Sequence, residues 1–232
     1  MTALTKPYRL LIFDWDGTLM DSPAKIVDCL RIAAAEARLA PRSDAQFRHI
    51  IGLGIGEAFN YLYPDGVSFE QRDKFICSYR DQFMYLNTTP SRLYEGVTGL
   101  LDELYRSGYY LAIATGKGRS GLDQILQGLK LQHYFHTSRC ADETRSKPDP
   151  QMLLEVLADM DVRAEDALMI GDTQFDIEMA GRAKIDAVGV IRGAHTYEQL
   201  QEARPLAILD GVMNLVSWLD LQATSRQKVA VS

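Results

Sequence analysis

The stretch from Leu10 to Ser22, LLIFDWDGTLMDS, constrains this chain more than any other. An apolar run, Leu10 to Phe13, ends abruptly in two carboxylates, Asp14 and Asp16, with Gly17 and Thr18 directly after. Four apolar residues in a row suit a strand buried on both faces, as in a parallel sheet covered by helices. The acids then stand at the carboxyl end of that strand, where open α/β sheets bind their ligands. Asp14 and Asp16 are two apart, so on an extended backbone both point the same way. Trp15 interrupts the strand, and Gly17 lets the chain turn sharply. By itself, Asp-x-Asp-Gly after a strand is an ordinary surface turn. Its meaning comes from the rest of the chain.

Met1 to Lys6 reads as a loose leader and Tyr8 to Phe13 as the first strand. The next 70 or so residues carry helical signals and no strand. Ser22 is a good helix cap, and Pro23 fits the first helical position. Ile26, Val27, Leu30, Ala33, Ala34 and Ala37 recur at helical spacing until Pro41. Ser43 or Asp44 can cap a short second helix through Phe47, Ile50 and Ile51. Gly52-Leu-Gly-Ile-Gly56 interrupts, and a third helix resumes from Glu57 to Tyr63. Ser68 with Gln71 makes a capping box for a helix from about Phe69 to Leu86. Its apolar face is Phe75, Ile76, Tyr79, Phe83 and Leu86. This pattern describes a helical cap over residues 20–91, inserted into a core of residues 1–19 and 92–232.

From Arg92 strands and helices alternate. Helices are expected over Val97–Arg106, Ser120–Leu129, Pro150–Met160, Gln174–Ala183, Glu198–Ala203 and Val212–Leu221. Strands are expected over Tyr109–Ala114, Tyr134–Ser138, Ala167–Ile170, Ala187–Ile191 and Leu206–Leu209. Gln222 to Ser232 is polar and expected to fray. The alternation implies an α/β fold, a doubly wound parallel sheet with helices on both faces.

Three later fragments fall at predicted strand ends or just beyond. Thr115-Gly116 follows an apolar strand, and a hydroxyl with a glycine amide can donate to a phosphate oxygen. Ser146-Lys147-Pro148 places a lysine where it can offset charge on a transferring group. Gly171-Asp172 and Asp176 put two acids four apart across a strand-to-helix turn, a donor set that suits hard magnesium. Singly, these are a turn, a solvated loop lysine and first-turn helix acids. Together, all four fragments face the same rim of one sheet.

This order of acids, hydroxyl, lysine and acids resembles the four motifs of the haloacid dehalogenase superfamily. Asp-Trp-Asp-Gly-Thr-Leu-Met-Asp-Ser is similar to the first motif of its helical-capped, phosphoglycolate phosphatase-like members. The resemblance spans Tyr8 to about Leu221. It implies that Asp14 is a nucleophile forming an aspartyl-phosphate. It implies that Asp16 protonates the leaving alcohol and then activates water, while its main-chain carbonyl helps bind Mg2+. Thr115, Gly116 and Lys147 hold phosphoryl oxygens. Asp172 binds the metal, and Asp176 supports it directly or through water. The implied activity is a magnesium-dependent phosphatase acting on a small phosphorylated metabolite. A sugar phosphomutase shares the motifs, and a catalytically inactive binding module could keep the fold. A haloacid dehalogenase is disfavoured by Asp16 and Asp172. A phosphonate-cleaving relative would have a small residue in place of Asp16.

The core motifs hold only the phosphoryl group, so substrate choice falls to the cap. Gly52 to Gly56 is its only glycine-dense segment, which makes Leu53 and Gly54 the candidate specificity loop. Gly96 offers a pivot where the chain returns to the core. A net charge of −6 without blocks of like charge argues against a nucleic-acid partner. The apolar run before Asp14 is too short for a membrane span or secretory signal. Three widely spaced cysteines suggest no disulfide framework and a reducing cytoplasm. A monomer or homodimer is expected. His49, His133, His136 and His195 show no metal-like spacing and receive no role.

Overall fold

The computed structural model describes residues 8–230, so the expected leader over Met1 to Lys6 lies outside the described residues. Strand β1 (Leu10–Phe13) leads through β2 (Met20–Asp21) into helices α1 (Pro23–Glu36), α2 (Asp44–His49), α3 (Ile55–Leu62) and α4 (Phe69–Asp81). A π-helical segment, Gln82–Leu86, and strand β3 (Arg92–Leu93) bring the chain back. Then follow α5 (Val97–Arg106), β4 (Tyr110–Thr115), α6 (Arg119–Leu129), β5 (Thr137–Cys140) and α7 (Gln151–Met160). The chain continues with β6 (Ala167–Gly171), α8 (Gln174–Ala183), β7 (Asp186–Val190), α9 (Tyr197–Glu202), β8 (Ala207–Leu209) and α10 (Leu215–Ala230).

Six strands form one parallel sheet in the order β5-β4-β1-β6-β7-β8. The chain builds outward from β1 in one direction through β4 and β5, then in the other through β6. That reversal opens a crevice above the carboxyl end of β1, the place where such sheets bind ligands. Side-chain alternation divides the core. Leu11 and Phe13 pack on one face with Leu100, Leu104 and Leu219. Leu10 and Ile12 pack on the other with Leu153, Val156 and Ile177. Helices α1 to α4 enclose a third core of their own, built on Leu30, Phe47, Phe59 and Phe75.

Several boundaries differ from those read in the sequence, each for a physical reason. Ser22 makes no side-chain cap on α1; its hydroxyl donates instead to Asp16 Oδ1 at 2.6 Å. Met20–Asp21 pairs antiparallel with Arg92–Leu93, a two-residue ribbon too short to leave a periodic signal. Helix α3 starts at Ile55, so Gly56 is helical rather than part of the interruption. The turn after Asp81 widens, with the Asn87 amide donating to the Gln82 carbonyl, and Leu86 swings out to 62% exposure. Strand β5 begins at Thr137, after a 3-10 turn over Gln132–Tyr134. It is an edge strand whose Thr137, Ser138 and Arg139 are only partly covered, so no apolar run marks it. Helix α10 continues to Ala230 instead of fraying from Gln222, and Leu215, Leu219 and Ala223 keep one face of its first turns buried. Val231 and Ser232 lie outside the described residues.

Candidate active site

Register assembles the site. Phe13 lies opposite both Ile113 of β4 and Ile170 of β6. β4 and β6 run on past the end of β1, so Thr115 and Asp172 each stand one residue beyond the level of Asp14, at the same rim of the sheet. The Asp14 amide donates to the Ile170 carbonyl at 2.9 Å, so the backbone is still held by the sheet at that residue. Trp15 turns into the core and meets Phe135 edge-on at 6.4 Å. Gly17 has φ +88°, and a Cβ there would overlap the Asp172 carboxylate. Only glycine fits that turn. Thr18 then donates its hydroxyl to Asp172 Oδ1 at 2.8 Å.

Asp14, Asp172 and Asp176 are all buried and present ligand oxygens within 4.8 Å of one another. Lys147 stands between two of them. Its Nζ is 2.7 Å from Asp14 Oδ1 and 2.6 Å from Asp176 Oδ1. The second oxygen of Asp176 accepts from the Thr173 hydroxyl at 2.7 Å and the Thr173 amide at 3.1 Å, the reciprocal capping box that starts α8. Asp176 is thus satisfied by the protein and fixes Lys147. Asp172 Oδ2 accepts the Ala194 amide at 2.7 Å. Asp14 differs, because neither oxygen has an aligned hydrogen bond although both are buried. The contact with Lys147 is ionic, and Oδ2 faces no donor among the described residues.

One buried ammonium does not balance three buried carboxylates, and burial shifts these groups accordingly. Burial, opposed by Lys147, raises Asp14 well above the usual carboxylate range. Burial and the neighbouring Asp176 push Asp172 up to about 7. Burial alone would depress Lys147, yet Asp14 and Asp176 carry it above its ordinary value. An orphaned Asp14 oxygen beside Asp172, in an all-oxygen and negatively charged set, fits a hard divalent cation.

Thr115 is fully buried, and its hydroxyl oxygen accepts the Lys117 amide at 3.2 Å. Gly116 lies against the helical layer, and a Cβ there would overlap the Gly52 carbonyl. The next residue, Lys117, was not singled out by sequence. Its Nζ is 3.0 Å from Asp16 Oδ2 and 4.0 Å from the centroid of the Phe83 ring. With Ser22 on its other oxygen, Asp16 is held at both ends and set apart from the Asp14, Asp172 and Asp176 cluster. The usable signal was a lysine directly after the Thr115-Gly116 turn. Ser22 carried no such signal, since its position reads equally well as a helix cap.

Leu53 and Gly54 line a cavity of about 610 Å³ together with Asp14, Asp16, Thr115 and Gly116. The Gly54 amide donates to Ser146 Oγ at 2.7 Å, next to Lys147 in sequence. The helical layer also touches the core through two histidines. His49 and His195 stack at 5.1 Å, and His195 is neutralised by burial. The Gln174 amide donates to His195 Nδ1 at 3.1 Å, so Nε2 carries the proton and donates to the His49 carbonyl at 2.9 Å. Gly96, the expected pivot, adopts φ +87° at the start of α5. Among the described residues no helix is long and apolar enough to cross a membrane.

Comparison with known proteins places this geometry. The family described as "Haloacid dehalogenase-like hydrolase" matches residues 11–190. The probable phosphatase IndB of Dickeya dadantii is 33% identical over 210 residues, covering 89% of this chain and 91% of that protein. A phosphoglycolate phosphatase of Agrobacterium fabrum is 31% identical over 209 residues, covering 87% and 88%. The crystal structure of a hydrolase from Pseudomonas syringae superposes with a TM-score of 0.83 at 25% identity, covering 91% of this chain and 98% of that one.

Proposed function

The chain belongs to the haloacid dehalogenase-like hydrolases, and we propose that within this family it is a magnesium-dependent phosphatase that acts on a small phosphorylated metabolite through an aspartyl-phosphate. The observation that carries this reading is Asp14, a buried carboxylate without an aligned hydrogen bond, set at a strand end between Lys147 and a second acid. A buried carboxylate whose one oxygen meets only an ammonium and whose other meets no donor is costly, and function is the usual reason to retain it.

In this reading Asp14 and Asp172 hold the metal with the Asp16 main-chain carbonyl, and Asp176 supports it. When bound, magnesium offsets the mutual repulsion of phosphate and carboxylate. Asp14 attacks phosphorus, a carboxylate-oxygen-to-phosphorus bond forms, and the bond to the leaving alcohol breaks. Asp16 gives that alcohol its proton. Asp16 then takes a proton from water as the water oxygen attacks phosphorus, which releases phosphate and restores Asp14. Lys147 and the free hydroxyl proton of Thr115 hold phosphoryl oxygens, with the Gly116 amide beside them. Residues 20–91 act as a cap over a core of residues 1–19 and 92–232. The Gly54 to Ser146 contact supports a seated, closed cap that excludes water. Leu53 and Gly54 meet the substrate body.

Acid quench of an Asp16→Ala variant during turnover, followed by intact-mass and peptide analysis, tests the covalent step. The expected result is one phosphoryl group on Asp14. Phosphate on another residue would overturn the assignment.

A further inference from the structure

The cavity above the reacting acids has a chemistry of its own. At about 610 Å³ it has the volume share of roughly 20 water molecules. A two-carbon phosphate ester would displace few of them. Part of its lining is apolar: Ile26 and Leu30 of α1, Ile50 and Ile55 around the glycine loop, and Phe83 and Met84 of the π-helical segment. The widened turn is what brings Phe83 and Met84 to that wall while Leu86 faces solvent. Such lining stabilises an apolar ligand body through burial.

The charged residues on the wall point the same way. Beyond the reacting acids it carries Glu57, Asp81 and Asp142 against Arg80 and Lys117. Lys117 is occupied by Asp16 at 3.0 Å and covered by Phe83. Arg80 and its neighbour Asp81 are exposed, where an attraction for an anion is weak. Glu57, Asp81 and Asp142 are exposed as well, so they too act weakly; among the described residues that line the outer pocket, none is a buried, uncommitted cation for a substrate carboxylate.

We propose that the leaving group of the substrate is an uncharged, largely apolar alcohol, aromatic or branched alkyl, rather than a small hydroxy acid such as glycolate. This inference rests on the phosphatase reading of the same site. It commits the substrate body to the space bounded by α1, the glycine loop and the π-helical segment.

The test compares benzyl phosphate with phosphoglycolate on the purified protein with magnesium, with para-nitrophenyl phosphate as a reporter. Both alkyl esters release a primary alkoxide, so intrinsic reactivity does not decide between them. The expected result is a kcat/KM at least tenfold higher for benzyl phosphate, carried mainly by KM. Equal or higher kcat/KM for phosphoglycolate would overturn the inference and leave the phosphatase reading standing. So would hydrolysis of para-nitrophenyl phosphate with neither alkyl ester accepted. No turnover of any of the three would remove the phosphatase reading itself, and the inference with it. A second variant checks the wall. Met84→Lys adds a cation there and is expected to raise phosphoglycolate relative to benzyl phosphate by about tenfold; an unchanged ratio would count against the proposed location.

Discussion

Lys117 Nζ lies 3.0 Å from Asp16 Oδ2, and both side chains are nearly out of water. This pair joins the second strand-end acid to the turn that follows β4, and Phe83 of the helical layer closes over it. Lys117→Met should therefore free one end of the Asp16 carboxylate without touching Asp14, Asp172 or Asp176. General acid–base groups contribute about 100- to 10,000-fold, so mispositioning one is expected to cost roughly 10- to 100-fold in kcat. The half-saturating magnesium concentration should stay the same. Steady-state kinetics at several magnesium concentrations check both statements, and a large shift in the magnesium requirement would place Lys117 in the metal site instead.

Asp172 sets a pH dependence. Burial and Asp176 push it up to about 7, above the ordinary value near 3.9 expected when unfolded. An acid raised by folding favours the folded state while it is protonated. Its contribution is fully present below about pH 4 and is lost as pH rises through about 7. If Asp172 holds the metal as proposed, binding needs the same oxygen ionised, so magnesium and protons would compete there. The rise in Tm produced by saturating magnesium should be larger at pH 8 than at pH 5.5. Equal rises at both values would contradict the assignment of Asp172 as a ligand.

Asp14→Asn separates stability from activity. It removes one ionisable carboxylate from a buried cluster of three, while Lys147 keeps Asp176 at 2.6 Å. An amide is a poor nucleophile, so turnover should fall by several orders of magnitude. The metal-free variant should nevertheless melt higher, by about 2–4 °C for each 1 kcal/mol of repulsion relieved. Scanning calorimetry in chelator reads this directly, and a lowered Tm would show that the Asp14 to Lys147 pair outweighs the repulsion.

Gly116→Val tests the seating of the glycine loop. A side chain there meets the Gly52 and Leu53 carbonyls, which are backbone and cannot rotate away. Overpacking of this kind costs about 1–3 kcal/mol. Because the clash exists only when the helical layer is seated, that cost should appear as weaker closure, with KM raised several-fold or more and little loss of Tm. A drop in Tm without a change in KM would make the contact purely structural.

Replacing Leu53 probes choice of substrate. Leu53 lines the cavity, whereas a Cβ at Gly54 would press on Ala141 at 2.9 Å and crowd the Ser146 hydroxyl. Leu53→Trp should change the ranking of a substrate panel while para-nitrophenyl phosphate hydrolysis falls much less. Gly54→Leu should lower every substrate more evenly, since it unseats the loop. An unchanged ranking for Leu53→Trp would move specificity elsewhere in residues 20–91.

Local sequence determined a good deal. The run Leu10 to Phe13, the strand-and-helix alternation after Arg92, the Ser43 cap and the capping box at Ser68 all rest on neighbours within a few residues, and each is present. The positions of Asp14, Thr115 and Asp172 at strand ends were legible for the same reason. That Thr115 and Asp172 come to stand beside Asp14 was not, because it depends on the register of Phe13 with Ile113 and Ile170 across strands some hundred or more residues apart. The polar edge strand β5 was displaced in the reading because an edge needs no apolar run. The Lys117 to Asp16 pair, the diversion of Ser22 from helix cap to Asp16, and the His49 to His195 stack were decided only by packing. A side chain's partner there comes from a distant segment, and no local period or cap records which segment the fold will bring against it.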